Sequence, residues 1–330
     1  MSNAAALLRA DRLSVAFPAG KGWLRAVEEV SFTLAEGETL ALVGESGSGK
    51  SVTAMAVARL HGPEARVSGQ LGWTTRDGEA LDLATLQGEA LRRLRGRDIA
   101  VVFQDPGSAL DPIFRVGDQI GETLRHLRGV GRREAAEGAV ALLERVGIPD
   151  PRRRASEYPH QLSGGMRQRA VIALALAGQP RLLVADEPTT ALDVTIQAQI
   201  VELLQDLQAR EGMAMIFVSH DLGLVAGLAH RICVLYAGQV VEEGPAAEVL
   251  AAPRHPYTRA LLDCVPEIDG EAAPPRGIPG RMPSPLDLPP HCRFTDRCAL
   301  AEDACRAAPV PLIAVAPERT SRCLRWAEVA

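Results

Sequence analysis

Short apolar runs recur along the chain, and each stops abruptly at a polar residue or a glycine. "ETLALVG" ends at Gly44, "DIAVVFQ" at Gln104, "RLLVADE" at Asp186 and Glu187, and "MAMIFVSH" at His220. Between them lie stretches of helical period: "GKSVTAMAVARL", "GGMRQRAVIALALA" and "VTIQAQIVELLQDLQAR". Continuous apolar strands alternating with amphipathic helices predict an α/β fold whose mostly parallel sheet is covered on both faces. Ligands of such sheets bind beyond the carboxyl ends of the strands. Strands ending in Gly, Gln, Asp-Glu and His therefore predict one shared site.

Composition narrows the setting. A chain of 330 residues holds one large core with an extension, or two modest domains. The formal net charge of -5 gives no electrostatic reason to expect a nucleic acid partner. The longest apolar run, "AVIALALAG", falls well short of the ~20 residues a bilayer requires. The first residues show no basic segment followed by an apolar one, so a secretory signal is not expected. A reducing, cytosolic location is the expectation, and with it unpaired cysteines. Only two lysines, Lys21 and Lys50, stand among 36 basic residues. An ammonium kept at a motif position in so arginine-rich a chain marks a chemical requirement, because the two cations are not interchangeable.

Lys50 occupies such a position. "GESGSGKS" (residues 44–51) fits the phosphate-loop pattern G-x-x-x-x-G-K-[ST] between a predicted strand and a predicted helix. Gly44, Gly47 and Gly49 let backbone N–H groups turn towards phosphate oxygens at the positive end of the helix dipole. Lys50 is placed to reach the β- and γ-phosphates, and the Ser51 hydroxyl to ligate Mg²⁺. Glu45, Ser46, Ser48 and Val52 complete the nucleotide-binding run. At the strand end "LLVADE", Asp186 suits the Mg²⁺ shell and Glu187 the polarisation of an attacking water. Alone, an Asp-Glu pair there is more often a helix cap; following a phosphate loop, catalysis becomes the better reading. Gln104 is a candidate Mg²⁺ ligand or γ-phosphate sensor, and His220 a candidate hydrogen-bond partner of the γ-phosphate or the water. A second anion cradle is predicted at "LSGGMRQRA", where Ser163 is the expected N-cap of a helix opening with Gly164 and Gly165. One nucleotide hardly needs two cradles over a hundred residues apart, so two subunits paired head to tail are expected.

"LSGGMRQR", following a Walker-type loop and preceding "LLVADEPTTALD", resembles the signature of ABC-transporter ATPases. The resemblance implies a P-loop ABC ATPase core, a mostly parallel sheet with flanking antiparallel strands, carrying a helical subdomain and a small Cys-rich C-terminal extension. It implies that Phe17 stacks on adenine, that residues 44–51 are the Walker A loop and that Gln104 is the Q-loop. Ser163, Gly164 and Gly165 become the signature offered to the partner's ATP, and Asp186 and Glu187 the Walker B pair. Ala191, Leu192 and Asp193 are the implied D-loop and His220 the switch histidine. Finer motifs, "FQDPGSALDP", "HPYTRALL" and "MPSP", resemble the ATP-binding subunits of oligopeptide and dipeptide importers. Gly107 and His291 depart from that pattern outside the ATP motifs.

The implied domains are a nucleotide-binding domain over 1–254, with its helical subdomain at about 105–177, and an extension over 255–330. The implied activity is ATP hydrolysis that powers import of di- or oligopeptides. Alternatives are an importer of nickel or another solute, or a soluble ATP-driven switch with a metal-sensing tail. The implied partners are a homologous ATPase subunit in a hetero-dimer, two integral membrane permease subunits and, indirectly, an extracytoplasmic peptide-binding protein. The implied place is the cytoplasmic face of the inner membrane, as a peripheral subunit.

The tail gathers Cys292, Cys298, Cys305 and Cys323 behind a proline-rich approach at residues 274–290 that is not expected to form regular structure. Cys233 and Cys264 stand apart and read as structural. So few apolar runs leave the tail in need of a staple. Four thiolates suit either zinc or an iron–sulfur cluster. Structural zinc favours pairs two to four residues apart; the wider gaps here, and the resemblance, favour a [4Fe-4S] cluster.

Overall fold

The computed structural model describes residues 6–20, 22–190, 192–265 and 277–329. Ala191 of the expected D-loop and residues 274–276 of the proline-rich approach lie outside the described residues. The chain divides into two compact units, one formed by residues 1–85 and 217–330, the other by 86–216.

In the first unit the predicted "TLALV" is the strand Thr39–Val43, buried at every position. It lies parallel to Arg231–Tyr236, with Leu40 opposite Arg231 and Val43 opposite Val234. Both are continuous apolar runs, as a strand covered on two faces requires. Pairing then turns antiparallel through Gln239–Pro245 and Arg319–Ser321 to Ile313–Ala316. Ala214–Ser219 is the predicted "AMIFVS" strand, buried at every position. A separate antiparallel sheet orders Gly22–Ala35, Ala6–Ala19, Arg66–Thr74 and Ala80–Asp82. Here alternation decides the faces: Val30, Phe32 and Leu34 are buried while the residues between them are exposed. The helix after the phosphate loop is Lys50–Val57, shorter than its apolar pattern, because Arg59 adopts a left-handed conformation (φ 56°) that ends it.

The second unit pairs Ile99–Val102 and Leu182–Asp186 in parallel, Ile99 opposite Leu182. Its helices include Pro106–Ala109, Val116–Arg128, Arg132–Arg145, Pro151–Ala155, Gly164–Leu176 and Val194–Glu211. Short polar caps start three of them. Asp105 accepts from Gly107 N–H at 2.8 Å, Ser163 from Met166 N–H at 3.3 Å and Asp193 from Ile196 N–H at 3.0 Å. Ile120 and Leu124 of one helix and Leu142 and Leu143 of the next lie buried between Val116–Arg128 and Arg132–Arg145.

The tail is less dependent on a staple than its composition indicates. Its hairpin, Ile313–Ala316 with Arg319–Ser321, adds to the edge strand Gln239–Pro245, so backbone hydrogen bonds supply part of the order that apolar runs do not. A buried ion pair fixes the register: Arg319 donates to Glu242 Oε1 at 2.8 Å, with side chains 5% and 0% exposed. The same oxygen accepts from Arg254 N–H at 2.8 Å. Burial raises the Glu242 carboxyl above its usual range, against the pull of Arg319. Replacing Arg319 with Met leaves that carboxylate buried and unpaired, at an expected cost of about 3–5 kcal/mol. Urea unfolding of the full chain checks this, and adding Glu242→Leu should recover most of the loss.

Candidate functional site

The phosphate loop is built from a buried strand end and a helix start. Gly44 follows Val43 at φ 149°, and a Cβ there would fall 2.2 Å from the carbonyl oxygen of Leu235. Only glycine fits. Gly49 precedes the first turn of Lys50–Val57 at φ 103°, so the helix N-terminus faces the loop. Lys50 is 3% exposed, and its ammonium donates to Gly44 O at 2.9 Å and Glu45 O at 3.0 Å. Ser48 is buried, and its carbonyl accepts from Gly238 N–H at 2.8 Å. Ser51 and Val52 are half-buried in the helix. A loop so curled, with a cation folded into it and a helix dipole behind it, holds phosphate.

Glu45 has partners that no motif announced. Its N–H donates to the Tyr257 hydroxyl at 2.7 Å. Its carboxylate receives two bonds from Arg297, at 2.7 and 2.9 Å. Tyr257 lies inside the "HPYTRALL" run, which marked a resemblance and no role; Arg297 had no signal beyond its place among the tail cysteines. Burial raises the phenols of Tyr236 and Tyr257, keeping both neutral. Phe17, on Ala6–Ala19, meets His61 edge-on at 5.6 Å between ring centres. The His61 ring is 2.9 Å from Val52 O, so a histidine outside every motif links Phe17 to the loop helix. His220 is exposed between two residues that lock its turn: Ser219 Oγ accepts from Asp221 N–H at 2.9 Å, and Asp221 accepts from Gly223 N–H at 2.7 Å.

In the second unit the structure brings Gln104 and Glu187 together. Glu187 Oε2 accepts from Gln104 Nε2 at 3.3 Å and from Thr190 Oγ1 at 2.9 Å. Glu187 itself has φ 44°, a left-handed conformation that costs a non-glycine residue energy and is held only where its surroundings insist. Asp186 before it is 7% exposed at the end of its strand. A fixed, half-buried carboxylate beside an amide can accept a proton from a polarised water. Gly164 and Gly165 open Gly164–Leu176, and a Cβ on Gly165 would lie 2.8 Å from Ile196 Cγ2. Helix packing therefore also demands the second glycine.

Cys292, Cys298, Cys305 and Cys323 line one recess, with Phe294, Val310 and Arg322 among its other walls. Burial raises the thiols of Cys292 and Cys298, and pushes Cys323 up to about 12. Among the described residues no group of three or more His, Cys, Asp or Glu is drawn close enough to hold a metal ion. Cys233 is fully buried and its thiol is raised well above the usual value by burial, as a structural residue requires. No helix among the described residues is long and apolar enough to cross a membrane.

A phosphate loop on an α/β core, with a capped Ser-Gly-Gly helix start and an Asp-Glu strand end, defines a P-loop ATPase of the ABC class. Comparison with known proteins agrees. Residues 27–190 match the ABC transporter family, and residues 241–305 match the oligopeptide/dipeptide transporter C-terminal region. The chain belongs to the ATP-binding subunits of ABC transporters, in the branch that carries the oligopeptide/dipeptide C-terminal region. A relative from Brucella melitensis, named as a peptide import ATP-binding protein, is 53% identical over 92% of this chain and 93% of its own. Another, so named in Brucella abortus, is 51% identical over 97% of this chain and 95% of its own. Among solved structures, a dimeric ATP-binding cassette in a post-hydrolysis state bound to ADP and Pi has a TM-score of 0.64 at 28% identity, covering 72% of this chain and 98% of that one. The cbiO1 protein of Clostridium perfringens, part of the ABC transporter complex cbiONQ, has a TM-score of 0.62 at 26% identity, covering 74% and 91%.

The close approach at Gly44 makes one outcome specific. Gly44→Ala should abolish binding of a fluorescent ATP analogue, because its methyl group displaces the loop from the Leu235 carbonyl. Gly131→Ala, where a Cβ meets nothing within 4 Å, should bind the analogue as the parent does.

Proposed function

We propose that the protein is the ATP-hydrolysing subunit that powers import of di- or oligopeptides through a membrane ABC transporter. The observation that carries this is the pairing of a complete phosphate loop with the oligopeptide/dipeptide C-terminal region in one chain. The names of relatives at 50% identity or more point the same way. Residues 1–254 are read as the nucleotide-binding domain, about 105–177 as its helical subdomain and 255–330 as the extension.

ATP is the substrate. Gly44 to Ser51 and Val52 cradle its phosphates, Lys50 neutralises them and Phe17 stacks on the base. Mg²⁺, where bound, screens the charge that develops on the transferred phosphoryl group. Ser51, Gln104 and Asp186 offer the oxygen donors that a hard cation prefers. Glu187 takes the proton of the attacking water, held in place by Thr190 and Gln104, and His220 fixes the water or the γ-phosphate. Ser163, Gly164 and Gly165 serve the ATP of a second, homologous subunit, so that a hetero-dimer closes on two nucleotides and reopens after hydrolysis. Val194, 80% exposed just after the Asp193 cap, is an apolar side chain fit for such a face. Ile113 and Phe114, 71% and 53% exposed shortly after Gln104, are fit to meet a permease subunit. The subunit then works peripherally on the cytoplasmic side of the inner membrane, beneath two permeases served by an external peptide-binding protein.

For the tail, the reading is a [4Fe-4S] cluster on Cys292, Cys298, Cys305 and Cys323, with zinc as the alternative. It rests on the spacing of the four cysteines and on the family resemblance; they line one recess, but among the described residues they are not drawn close enough together to hold a metal ion. Protein purified without oxygen should be brown and carry about four irons per chain by metal analysis. A colourless preparation with one zinc would replace the cluster by zinc.

Transport is tested in vesicles holding the complete transporter. Glu187→Gln should retain ATP binding and lower both hydrolysis and peptide uptake by at least 100-fold, on the order of a lost general base. Undiminished hydrolysis would remove Glu187 from that role, and ATP-driven uptake of nickel in place of peptide would change the cargo.

A further inference from the structure

Glu45 places a carboxylate inside a loop that binds a highly charged anion. Left unpaired, it would repel the phosphates. The tail supplies the answer, 252 residues further along the chain. Arg297 donates from Nη1 to Glu45 Oε2 at 2.7 Å and from Nη2 to Oε1 at 2.9 Å, the two-pronged geometry in which guanidinium binds carboxylate most tightly. The Arg297 side chain is 3% exposed and that of Glu45 32% exposed.

The guanidinium is also held by the tail and by the neighbouring strand. Its Nε donates to Pro279 O at 2.8 Å, Nη2 to Ile278 O at 3.2 Å and Nη1 to the Tyr236 hydroxyl at 3.3 Å. Arg297 ends the single turn Thr295–Arg297, which Phe294 anchors against Tyr236 and Tyr257 at 5.2 and 5.4 Å between ring centres. Glu45 is thus held at all of its polar groups: its N–H by Tyr257, its carboxylate by Arg297 and its carbonyl by the Lys50 ammonium.

We propose that Arg297 is a positioning residue for the phosphate loop: it neutralises and fixes Glu45, and through it Lys50, so the tail sets ATP affinity without touching the nucleotide. The inference rests on the ATPase reading above. It assigns the extension a part in the ATP site of its own chain, beyond the metal it is read to carry.

Equilibrium binding of a fluorescent ATP analogue to the full chain, with melting temperature measured alongside, tests it. Arg297→Ala should weaken binding about tenfold, and in the assembled transporter should raise KM for ATP with little change in kcat. Arg297→Lys, which keeps the charge and loses the fork, should fall between the two. The decisive variant is Arg297→Ala with Glu45→Gln: removing the unpaired charge should restore most of the affinity, whereas a tail that had merely misfolded gains nothing from it. Unchanged affinity in Arg297→Ala, or a loss that Glu45→Gln leaves untouched, overturns the proposal. Failure of the unaltered chain to bind the analogue overturns the ATPase reading beneath it.

Discussion

A phosphate loop must hold its backbone N–H groups turned inward around an anion, and nothing within so short a run of residues can do that unaided. The loop is therefore shaped from outside. Leu235 O leaves no room for a side chain on Gly44, and Ala26 O stands 2.8 Å from where a Cβ on Gly49 would lie. Gly238 N–H ties to Ser48 O at 2.8 Å, and Gly238 O receives Glu28 N–H at 2.8 Å. These walls come from Arg231–Tyr236, its following turn and the strand Gly22–Ala35, elements distant in sequence from the loop they shape. The pairing of Thr39–Val43 with Arg231–Tyr236 matters for this reason, since it sets Leu235 beside Gly44.

The second unit meets the opposite requirement, a single carboxylate held in an unfavourable conformation. Left-handed backbone at Glu187 costs about 1–3 kcal/mol. The fully buried strand Leu182–Asp186 before it, and the Thr190 hydroxyl after it, hold the chain in that path. In the same unit, Asp105, Ser163 and Asp193 each close a helix start with a side chain. Ser163 and Asp193, which sequence patterns assign to nucleotide chemistry, thus have local structural duties as well, and for Ser163 the two are compatible because a capped helix start is also an anion cradle.

The tail combines two sources of order. Its hairpin extends a sheet and buries Arg319 against Glu242, a pair whose value lies in fixing register more than in raw stability. Its cysteine turn packs Phe294 between two tyrosines and directs Arg297 at the phosphate loop. Arg293 of the same segment pairs with Glu28, next to the loop wall. The extension is therefore continuous with the unit that binds phosphate.

Much of this was legible in the chain. "TLALV", "IAVV", "LLVAD" and "AMIFVS" form strands because unbroken apolar runs bury on both faces, and "GESGSGKS" bends where only glycine and lysine serve. Local chemistry also announced the Ser163 cap. Other features had no such trace. The helix after the loop is shorter than its pattern, since the hydrophobic period continues past the left-handed Arg59 that stops it. The bond between Gln104 and Glu187 joins residues 83 apart, and His61 reaches Phe17 through space alone. Arg297 is one of many arginines until the fold sets it against Glu45. The sequence by itself determined which strands and helices form and which residues carry phosphate chemistry, because those follow from periodicity and from groups only one or a few residues apart. Only the tertiary structure decided what braces that chemistry, because a brace depends on distance in space, and pairing remote arginines, tyrosines and carbonyls leaves no period in the chain.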